Sequence, residues 1–217
     1  MFEVLPSFLP AFPTLAAFSL AAIALTLTPG PDMTLFLGQT VANGRMAGFM
    51  SMAGASSGII VHSLAAAIGL SALIATSPQA FEVLKWVGAA YLAYLAFDVL
   101  RNGSGLTSDH TAQSVSLRRA YLKGLTINLL NPKIILFFVT FLPQFVSPGD
   151  PYASQKLMFL GLFFLVIAIP LTVPMILGAE HISRFLRGSR RATRIFDWLF
   201  ASVMAGFALK LLATQAR

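Results

Sequence analysis

From Met46 to Phe81 the chain carries no Asp, Glu, Lys or Arg. A soluble domain has nowhere to put so long an uncharged stretch, whereas a helix crossing a bilayer needs about 20 apolar residues in a row. Similar charge-poor runs recur along the 217 residues, which are 57% hydrophobic and only 11% charged, with mean hydropathy +0.78. Too few charges remain to cover a water-facing surface. The runs are rich in Gly, Ala, Leu and Phe and do not alternate, so the expected class is an all-α integral membrane protein and not a transmembrane barrel.

Six windows fit a crossing: about 14–41, 47–76, 81–100, 120–146, 156–178 and 195–213. In the third, Lys85, Trp86, Tyr91 and Tyr94 offer interfacial anchors and Asp98 stands near Arg101. In the last, Lys210 can snorkel. The net charge of +7 sits between these windows, which makes it a determinant of topology and not a nucleic-acid surface. One side holds Lys85, Lys156, Lys210 and Arg217; the other holds Arg45, Arg101, Arg118, Arg119, Lys123, Arg184, Arg187, Arg190, Arg191 and Arg194. The positive-inside rule then puts both termini outside the cytoplasm. Glu3 is the only ionisable side chain in the first thirty residues, which lack the basic start of a signal peptide, so a retained first helix is expected.

Two of the windows are interrupted. Pro29-Gly30-Pro31-Asp32 breaks the first, and Asn131-Pro132-Lys133 breaks the fourth. Proline withholds a backbone donor and disfavours α geometry in its predecessor, so each window opens where unpaired backbone is tolerated only against a cavity or other protein. Three helices per half, each half led by a broken helix, predicts two inverted repeats, about 14–101 and 118–215, within one transporter domain covering 1–217. Paired breaks of this kind point to a binding site between them. Asp32 can cap the restarting helix, receive a substrate ammonium, or take up a proton. Lys133 can pair with an anionic group of the substrate, pair with Asp32, or snorkel to a water-filled vestibule. Asn131 can cap the second half-helix.

Other residues have quieter readings beside the functional ones. His62, the one ionisable group between Arg45 and Glu82, can relay a proton or hydrogen-bond a neighbouring helix. Pro170 and Pro174 kink the fifth window and can serve as a hinge. Gly54 and Gly58, like Gly44 and Gly48, have the spacing of close helix packing or of a dimer seam. The absence of cysteine excludes disulfides and thiolate metal sites, and His110 and His181 form no ligand cluster, so no metal or cofactor is expected.

"TPGPDM", "NGRMAGFMSMAGASSG", "KWVGAAYLAYLAFDVLR" and "AYLKGLTINLLNPKIILFFVTFLPQFV" resemble the LysE/RhtB family of bacterial amino-acid exporters, from about residue 14 to 215. The resemblance implies a six-helix, homodimeric inner-membrane protein that exports amino acids or small derivatives on the proton gradient, and not an enzyme. It carries Pro29, Gly30, Pro31 and Asp32 over as one half-site and Asn131, Pro132 and Lys133 as the other; the proton-coupling roles of Asp32 and His62 are read from their places as ionisable groups within the spans. An intramembrane enzyme using Asp32, His62 and Lys133 is the alternative from another class; a related metal-ion exporter is the third reading, though no His-rich or Cys-bearing loop is present.

Overall fold

The computed structural model describes residues 9–28, 30–70, 115–147, 149–179 and 190–213, with single positions between 79 and 101 and the pair 181–182. No strand occurs among the described residues. The helices are α1 (Phe12–Leu27), α2 (Pro31–Asn43), α3 (Arg45–Ala65), α4 (Leu117–Leu129), α5 (Pro132–Leu136), α6 (Ala153–Leu177) and α7 (Arg190–Ala213). A π turn, Ala66–Leu70, follows α3, and a π turn and a 3-10 turn, Phe137–Phe141 and Leu142–Phe145, extend α5.

The first, fourth and fifth expected windows coincide with these elements to within a few residues, and the second does so as far as the described residues reach, at 70. Arg45–Gly69 and Ala153–Leu177 are each long and apolar enough to cross a membrane alone. α1 with α2, bent by 49°, and α4 with Lys133–Phe145, bent by 50°, qualify as two more crossings if each bent pair is one span. α7 covers the expected sixth window and begins earlier, at Arg190. Half of the third window, with Lys85, Tyr91 and Asp98, lies outside the described residues, as do Pro29, Arg184 and Arg187. α6 runs through Pro170 and Pro174 as one helix, and both prolines face outward.

Both breaks have local causes. At Thr28 the backbone turns extended (φ −67°, ψ 126°), while its N–H and its hydroxyl both donate to the Ala24 carbonyl, at 3.1 and 2.6 Å. Gly30 is fully extended, as a residue before proline prefers, and α2 restarts at Pro31, whose fixed φ suits a first helical position. Asn131 is extended before Pro132 in the same way, and its Oδ1 accepts from the Lys133 N–H at 3.0 Å. The expected cap on the second half-helix is therefore present. Between α2 and α3, Gly44 has a positive φ of 85°, which glycine adopts at no steric cost, and its N–H donates to the Thr40 carbonyl at 2.9 Å, closing α2.

α3 and α4 meet at backbone contact. A Cβ on Gly54 would stand 2.0 Å from the Tyr121 carbonyl oxygen, and one on Gly124 would stand 2.0 Å from that of Ser51. The Ser51 hydroxyl reaches the Ala120 carbonyl at 3.2 Å, and the Tyr121 hydroxyl donates to Ser57 at 2.8 Å. The small-residue spacing thus serves packing within the chain. Gly124→Ala is expected to cost about 1–3 kcal/mol or more, because two backbones must separate. A lowered thermal unfolding midpoint in detergent would register it, with Gly206→Ala, where a Cβ meets open space, as the neutral control.

A phenylalanine cluster packs the first half of α1 against the turns after α5. Phe18 meets Phe145 edge-on at 5.3 Å, and Phe137 stacks on Phe141 at 5.3 Å. In the first turn of α6, Lys156 donates to Asp150 in the preceding loop and holds its carboxyl below the usual range. That contact is present above the ordinary carboxylate pKa and is lost as pH falls through the depressed one.

Candidate functional site

The two breaks close on each other. The carbonyls in the last turn of α1 lack helical partners because the chain stops coiling there. Lys133, buried in the first turn of α5, supplies them: its ammonium donates to the Leu25 and Thr28 carbonyls, each at 3.2 Å. A cation at a helix C-terminus also meets the negative end of its dipole. Gly30 leaves room for it, since a Cβ there would stand 3.1 Å from Nζ.

In the opposite direction, one oxygen of Asp32 is gripped by the second break. Its Oδ2 accepts from the Asn128 and Asn131 side-chain amides at 2.9 and 3.0 Å. Asn131 therefore caps α5 with its oxygen and holds Asp32 with its nitrogen. The other carboxylate oxygen, Oδ1, is buried and has no hydrogen-bond partner among the described residues. Two of the readings left open by the sequence are not the observed arrangement. Asp32 does not cap α2, because Gly30 occupies the cap position and Asp32 is the second residue of the first turn, with its carboxylate turned to the amides. Nor does Lys133 pair directly with Asp32, because the orphan carbonyls of α1 take its protons.

His62 lies against the same assembly without touching Asp32. Its Nε2 is 3.4 Å from the Asn128 carbonyl oxygen, and its ring lies 5.5 Å from Phe138. Contact with a neighbouring helix is thus its observed arrangement. Asn128 is the site residue that the sequence reading missed. It joins His62 to Asp32 through its carbonyl and its amide, and it packs on bare backbone, since a Cβ on Gly58 would stand 2.4 Å from its Oδ1. The available signal was a second amide three residues before Asn131 inside an apolar run.

A cavity of about 70 Å³ opens at the level of both breaks, bounded by Thr28, Asp32, Met52, Ser56, Asn128 and Thr172 among apolar side chains. That is room for more than one water, in a mostly apolar hollow with a few convergent polar groups, the usual make-up of a small-solute site. Among the described residues no group of His, Asp and Glu could hold a metal ion.

The sequence pattern of LysE type translocators matches residues 23–215, a span that includes both breaks. The chain belongs to this family. Its relatives are spread over the same length. A homoserine/homoserine lactone efflux protein of Salmonella typhimurium is 30% identical over 87% of this chain and 93% of its own. A leucine efflux protein of Klebsiella pneumoniae is 31% identical over 92% and 94%. An uncharacterized membrane protein of Vibrio cholerae is 30% identical over 92% and 97%. No solved structure matches. LysE membership and the apolar helices together make this a multi-pass membrane protein.

Proposed function

We propose that this LysE family member exports amino acids or small amino-acid derivatives across the bacterial inner membrane in exchange for protons. The observation that carries the reading is the buried Asp32 Oδ1, unpartnered beside a cavity that both breaks help to enclose. A primary ammonium is the donor that position lacks, and it is common to the homoserine and leucine named for the relatives. A proton satisfies the same oxygen. Ammonium and proton then exclude each other, so substrate leaves where protons are plentiful and reloads where they are scarce, which is antiport. His62, one peptide away through Asn128, is the second proton-coupling group, and Lys133 together with Gly30, Pro31, Asn131 and Pro132 frames the site.

Six crossings arranged as inverted repeats over about 14–101 and 118–215, with both termini outside, complete the proposed architecture. Access alternates as the segments beyond the 49° and 50° bends rock about the shared cavity. Everted membrane vesicles test the reading. With an imposed acid interior they should accumulate labelled homoserine or leucine, and a protonophore should abolish the accumulation. No gradient-dependent movement across a panel of amino acids would overturn it.

A further inference from the structure

α7 buries one face and leaves another open. Asp197, Ala201 and Ala208 are buried, while Ile195, Trp198 and Leu199 are 62, 59 and 61% exposed. Above them on the open face stand the exposed Arg191 and Arg194, and these five residues with Ser202 border a groove of about 430 Å³. The first turn of α7 holds no acidic residue, and the nearest carboxylate along the helix, Asp197, points to the buried face.

We infer that this groove is a binding site for an acidic phospholipid, its phosphodiester on Arg191 and Arg194 and its acyl chains along Ile195, Trp198 and Leu199. The two arginines are three residues apart, about 4.5 Å along the axis, so both guanidinium forks reach one headgroup and can hold phosphate bidentately. Tryptophan below them is placed as at a membrane interface, one end apolar and the other wet. A free anion would use the arginines and ignore the apolar half of the groove; a lipid uses both. Topology alone needs the charges and not their alignment over an exposed Trp198 and Leu199.

Trp86→Phe leaves Trp198 as the only tryptophan, because the chain has two. The full-length protein is reconstituted with lipids brominated on the acyl chains, either anionic phosphatidylglycerol or zwitterionic phosphatidylcholine. Each arginine near the surface favours an anionic lipid by about 1 kcal/mol, roughly fivefold. Quenching of Trp198 by the anionic lipid is therefore expected at a severalfold lower mole fraction than by the zwitterionic one. The preference should shrink about fivefold with Arg191→Gln or Arg194→Gln, shrink in high salt, and survive excess inorganic phosphate. Equal quenching by the two lipids in the Trp86→Phe protein, which needs no arginine variant, would overturn the assignment. So would displacement of the lipid by phosphate alone.

Discussion

Asp32→Asn is expected to reduce proton-driven efflux to background, a loss of at least about 100-fold, the lower range for removing a group that must gain and lose a proton. The substitution is isosteric, and an asparagine oxygen can still accept from Asn128 and Asn131, so the bracket between the breaks persists and membrane abundance should stay at the wild-type level. Lost instead are the charge that draws an ammonium and the acid that carries a proton. The two losses separate experimentally. Counterflow of substrate without a pH gradient requires only ammonium binding, and it should fail as well if one oxygen serves both cations. Retained counterflow with lost gradient response would confine Asp32 to protons. Gradient-driven efflux at the wild-type rate would leave it as a tie between helices and remove the basis of the antiport.

The site was legible in the sequence wherever a covalent constraint wrote it. Proline cannot donate, so Pro31 and Pro132 marked the restarts of α2 and α5, and Asn131 before Pro132 marked its own cap. What remained hidden were choices among partners brought from far along the chain. Asp32 and Asn128 are separated by 96 residues and Lys133 and Leu25 by 108, and no local pattern ranks an amide against a helix dipole, or a carboxylate against a pair of orphan carbonyls. Asn128 was hidden for a second reason. A single amide in an apolar helix looks the same whether it faces a cavity, a neighbour or lipid, and only the bare backbone of Gly58 against it decides. The helices themselves were readable because runs of apolar residues in lipid have few other ways to satisfy their backbones.

Lys133→Met should be the most destabilising single change in the site. Methionine keeps most of the length and loses every proton, so the Leu25 and Thr28 carbonyls lose their donor inside the protein, where each unmet group costs about 1–3 kcal/mol. Asp32 at the same time loses the electrostatic support of an ammonium that acts on it without touching it, a smaller effect than the loss of a paired partner. These costs overlap and are not summed. For a chain of 217 residues, where each kcal/mol moves the midpoint by about 2–4 °C, two stranded carbonyls imply a fall of at least about 4 °C. Adding Asp32→Asn to Lys133→Met removes the unsupported charge but not the stranded carbonyls, so the double variant should recover part of the loss. If the pair instead behaves additively, Lys133 acts only as a cap on α1. If Lys133→Met keeps the wild-type midpoint and loses efflux, its ammonium leaves the carbonyls in the working protein and turns to the substrate.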